Sequence, residues 1–176
     1  YETVVIDPLY AVSLGADFGD LLAHQLFHSV ARRLYVYDPD GVDEKDRDIM
    51  WMLRQLNEEG IADQIYAQGY PSRDEHVADS PWVIQEMDRL IRRIAITENT
   101  DELSSMLRVT PPRAGHPTGY YMTDTIIEAL GKERLLETVG DPFSFFRAYD
   151  EAAKMRGLSS FSQDTLGYVD GLAMKY

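Results

Sequence analysis

Apolar residues recur every three to four positions along most of the chain, the period of helices that bury one face. The exception is Thr-Val-Val-Ile-Asp-Pro-Leu-Tyr-Ala-Val over residues 3–12. That run reads as extended, and Pro8 within it predicts an edge strand, because proline has no N–H to give a ladder. Helices are predicted over about 17–35, 43–68, 80–97, 100–108, 119–130, 132–139, 142–156 and 160–174. Ser80-Pro81 and Asp141-Pro142 are start signals, and Gly131, Gly140 and Gly157 are stops. Residues 110–119, Thr-Pro-Pro-Arg-Ala-Gly-His-Pro-Thr-Gly, predict a loop long enough to wrap a site. With no repeat and no linker, 1–176 reads as one α+β domain, predominantly α-helical, with the edge strand at its start.

Composition narrows the chemistry. Lys and Arg total 17 against 30 Asp and Glu, a net charge of −13, which disfavours a nucleic-acid partner. No apolar run is long enough for a membrane segment. The absence of Cys excludes disulfides, thiolate metal sites and cysteine nucleophiles, so any metal must sit on His, Asp and Glu. The chain opens at Tyr1, on the extended run rather than on Met, which points to a fragment of a longer chain. Lack of Cys suits a cytosolic or an exported protein, and an exported bacterial protein is the expectation adopted.

The densest chemical signal is Leu21-Leu-Ala-His24-Gln25-Leu26-Phe27-His28. Histidines four residues apart lie one turn apart on one helix face, where two imidazoles can share an ion. An open Zn2+ site needs a third protein ligand, commonly a carboxylate from a following helix. Asn57-Glu58-Glu59-Gly60-Ile61-Ala62-Asp63 offers it. At 100° per residue, Asp63 lies within about 30° of the centre of the Ile49, Met52, Leu53, Leu56 stripe, Glu59 about 70° away and Glu58 roughly opposite. Glu59 and Asp63 are therefore expected to face inward and Glu58 water. Two acids on a buried stripe are costly without a cation to receive them, which points to a metal. One acid can ligate while the other accepts the remaining ring N–H of a ligand His.

These residues resemble the gluzincins, the thermolysin-like superfamily of zinc peptidases. There a His-Glu-x-x-His helix is followed by a Glu ligand on the next helix and, four residues on, an Asp that holds the first His. The resemblance implies His24, His28 and Glu59 as zinc ligands and Asp63 as the outer partner. Glu-Gly-Ile-Ala-Asp over 59–63, Gly115-His-Pro-Thr-Gly-Tyr-Tyr-Met122 and Asp141-Pro-Phe-Ser-Phe-Phe146 also resemble bacterial zinc-dependent peptidases known mainly as a domain of unknown function. The implied fold is zincin-like, with the edge strand beside the metal helix to receive a peptide or protein substrate as an added strand.

The resemblance breaks at one position. Gln25 stands where the superfamily has its general base, the Glu that takes a proton from the attacking water. A carboxamide can hydrogen-bond water but does not accept its proton at neutral pH. Inactivity or impairment is thus expected, whether the chain is an inactive relative or a trapped form of an active one. A zinc-containing pseudo-peptidase that only binds peptide is the rival. His116, Tyr120 and Tyr121 are candidates to donate a hydrogen bond to the oxyanion, a role the resemblance implies; core packing is the alternative for the tyrosines.

Overall fold

The computed structural model describes residues 15–66, 73–97 and 100–176, and these form helices and connecting turns. The helices are α1 (Phe18–Arg33), α2 (Arg47–Asp63), α3 (Arg73–Ala78), α4 (Ser80–Ile96), α5 (Asp101–Val109), α6 (His116–Leu130), α7 (Lys132–Leu136), α8 (Pro142–Arg156) and α9 (Gln163–Lys175). None is long and apolar enough to cross a membrane.

Local signals account for most boundaries. Asp141 Oδ1 accepts from the amides of Phe143 and Ser144 at the start of α8, and Gly157 ends that helix at φ 64°. Ser162 Oγ likewise accepts from the Thr165 amide at the start of α9. Along α4, Val83, Ile84, Met87, Leu90, Ile91 and Ile94 form one buried stripe. It packs on α5, α6 and α9.

Helix α2 is the hub. Ile49, Met52, Leu53 and Leu56 are buried as the stripe predicts, but so are Met50, Asn57 and Glu58 on other faces. Neighbours α1, α5, α6 and α8 surround it, with α6 making the broadest contact. The two meet at Gly60 and Gly119, where no side chain separates the backbones.

The class differs from the α+β expectation. Among the described residues there is no strand and no sheet for an edge strand to extend, so what they form is all-α. The expected strand itself, over 3–12, lies outside the described residues. Several boundaries also differ. Helix α2 ends at Asp63 rather than near 68, closing in a turn in which the Tyr66 amide donates to the Ala62 carbonyl. Residues Arg73–Ala78, expected as loop, form α3. Helix α6 starts at His116, three residues earlier than expected, because Pro117 falls in the first turn, where a missing N–H is harmless. Arg113, Ala114 and Gly115 all carry positive φ and turn the chain into that start.

Candidate metal centre

Four elements converge on one cluster. Helix α1 presents His24, which is buried, and His28. Helix α2 presents Glu58, Glu59 and Asp63 in its last two turns, α6 opens with His116, and the turn after α2 contributes the Tyr66 carbonyl.

The three rings share one arrangement. His24 Nδ1 lies 2.9 Å from the Tyr66 carbonyl oxygen. A carbonyl only accepts, so Nδ1 carries the proton, and in the neutral ring Nε2 is the acceptor. His116 Nδ1 is 3.1 Å from each Asp63 carboxylate oxygen. His28 Nδ1 is 3.6 Å from Glu58 Oε2. At the opposite ring edges, the Nε2 atoms of His24, His28 and His116 stand 3.8, 3.4 and 3.3 Å from the same atom, Glu59 Oε2. The Nε2 atoms of His24 and His28 are 3.3 Å apart.

This packing of acids and imidazoles perturbs protonation. Burial works against charge on His28, but hydrogen bonding and attraction to Glu58 and Glu59 prevail and raise it to about 9. Glu59 is pushed up by burial and down more strongly by His28, then by the charges of His116 and His24, so it stays below the usual carboxylate range. His116 is disfavoured as a cation by burial, yet Asp63 and Glu59 raise it. The arrangement concentrates negative charge where the Nε2 edges of the three rings converge.

The donor set fits zinc. His24, His28 and Glu59 each offer an atom within 4.8 Å of the others. Tetrahedral bonds of about 2.0–2.1 Å put neighbouring donors ~3.3 Å apart, close to the spacings seen here. Two imidazole nitrogens and one carboxylate oxygen, with an outer acceptor at His24 Nδ1, are a Zn2+ donor set with its ligand tautomer already selected.

The other sequence candidates fall differently. Gln25 is exposed on α1 between the two histidines. Asp63 lies 3.8 Å from His24 Nδ1 but closer to His116, so the ring it engages most tightly is not the first His. Tyr120 sits one turn after His116, with the Arg73 guanidinium 4.5 Å above its ring. Tyr121 is turned toward the core, its ring 6.4 Å from that of buried Tyr149, so it does not join the cluster.

Glu58 departs from its expected solvent-facing position. It is 3% exposed, accepts from the Tyr35 hydroxyl, and has Arg54 Nε at 3.7 Å. One apolar stripe implies one buried face, whereas α2 is enclosed on several. Arg54, four residues before Glu58, was the available local signal; Tyr35 was not, because its approach depends on how α1 crosses α2.

A family model described as "Putative zinc dependent peptidase (DUF5700)" matches residues 2–157. No curated protein and no solved structure matches the chain.

Proposed function

The chain belongs to this family of zinc-dependent peptidases, and from that premise we propose a peptidase domain of the thermolysin-like kind whose hydrolytic step is disabled at Gln25. The substrate class is peptide or protein. The observation that carries the reading is the convergence of His24 Nε2, His28 Nε2 and Glu59 Oε2, with the far nitrogen of His24 already bonded to a carbonyl. These three residues would hold the ion.

When bound, zinc supplies Lewis acidity, polarising a carbonyl and making a water acidic near neutral pH. The chain's own groups do the rest. Glu59, kept ionised, offers a charged oxygen to the ion. The Tyr66 carbonyl holds His24 in the Nδ1–H tautomer, and Glu58 faces the outer nitrogen of His28. Gln25 can orient a water by hydrogen bonding, but its carboxamide accepts no proton. That one position favours the second reading, a zinc-containing module that binds peptide without cleaving it.

The test compares the chain with Gln25→Glu at matched zinc occupancy on a mixed peptide library. Turnover should rise by roughly 10²–10⁴-fold, the usual contribution of a general base. Equal turnover by both forms would place the base elsewhere. Tight peptide binding with no turnover by either would leave the binding module.

A further inference from the structure

We propose that His116 is a third imidazole ligand of the ion, so that the centre is His24, His28, His116 and Glu59. This deepens the zinc reading above and rests on it.

The argument is the equivalence of the three rings. Each has its Nδ1 toward an oxygen acceptor: the Tyr66 carbonyl for His24, Glu58 for His28 and Asp63 for His116. Each has its Nε2 toward Glu59 Oε2, and His116 stands closest of the three, at 3.3 Å. A His whose only task was to face substrate would have no need to share a carboxylate oxygen with two metal ligands. The Asp63–His116 pair is the carboxylate–imidazole arrangement that fixes the tautomer of metal-bound histidines and raises their basicity. The His24 and His116 rings also lie nearly parallel, 13° apart with centroids at 6.2 Å.

The fold holds His116 there by independent means. It is the first residue of α6, placed by the left-handed turn at Arg113, Ala114 and Gly115 and by the close contact of Gly60 with Gly119 one turn later. Its side chain is 34% exposed against 7% and 14% for His24 and His28, and it stands outside the tightest donor group. It therefore joins the ion by turning its ring inward, on a centre the other three donors define. Zinc can expand to five-coordinate, so a water can still join a centre with four protein donors.

X-ray absorption at the zinc edge on the intact protein counts imidazoles directly, with no variant needed. Three are expected, and two would overturn the proposal. His116→Ala should then show two, with zinc affinity, measured against a chromophoric chelator, lower by more than the roughly 10–100-fold that loss of an outer partner costs. Unchanged affinity and an unchanged Co2+ absorption spectrum in His116→Ala would equally overturn it. His28→Ala separates the two readings. If it leaves stoichiometric zinc, the zinc centre itself is misplaced; if it loses zinc while His116→Ala does not, only the role of His116 fails.

Discussion

Gly60 and Gly119 bring α2 and α6 into backbone contact: a Cβ on Gly60 would lie 2.5 Å from the Gly119 carbonyl oxygen. A Cβ on Gly119 would meet the Leu56 carbonyl oxygen at 2.6 Å. Both obstacles are backbone, which no rotamer change relieves. Glu59 and Asp63 flank this contact on α2, and His116 precedes it by three residues on α6, so the helix spacing sets the distance from His116 to both acids.

Gly119→Ala is therefore expected to lower stability by about 1–3 kcal/mol, the usual penalty for overpacking. It should also weaken zinc binding by separating α6 from α2. Thermal unfolding with and without zinc measures both effects. A variant that melts like the parent would show that the helices accommodate a methyl group here.

Zinc should stabilise the fold, because the site joins α1 to α2 and has no counterpart in the unfolded chain. At free metal 100 times its dissociation constant the gain is about 2.7 kcal/mol. Calorimetry on protein of known zinc content, before and after chelation, tests this. Melting indifferent to the chelator would mean the ion sits at the periphery rather than between the helices.

Asp63→Asn should cost zinc affinity on the order of 10–100-fold without eliminating the site. A carboxamide can turn its NH2 toward His116 Nδ1, which then accepts and leaves the proton on Nε2. The His116→Ala background discriminates: there Asp63→Asn should lose most of its effect. A full effect in that background would mean Asp63 acts through His24, 3.8 Å away, instead.

In the metal-free protein, His28 is raised from its usual 6.5 to about 9. A raised His contributes stability that is complete below pH 6.5 and lost as pH climbs through 9. Metal-free protein should accordingly melt at lower temperature at pH 9.5 than at pH 6.5. Zinc displaces that proton, so zinc affinity should rise across the same interval and binding should release protons below pH 9. Calorimetric titration in buffers of different ionisation heat reads the release, and zinc affinity flat between pH 6.5 and 9 would contradict it.

The sequence by itself carried the local decisions. Helix starts at Ser80-Pro81 and Asp141-Pro142, the stop at Gly157 and the stripe along α4 depend on contacts within a few residues, so their signals are written in adjacent positions. The pairing of His24 with His28 is equally local, since one helical turn sets it. Glu59 could be aimed inward from the apolar stripe alone. What only tertiary structure decided is whatever depends on how helices cross. Glu58 points inward because α2 is enclosed on more than one face, which the period of a single helix does not reveal. His116 reaches the cluster across the Gly60–Gly119 contact, and Tyr66 supplies a carbonyl because α2 ends at Asp63. The class turned the same way: the described residues pack helix on helix and contain no sheet, while residues 3–12, which carry the strand pattern, lie outside them.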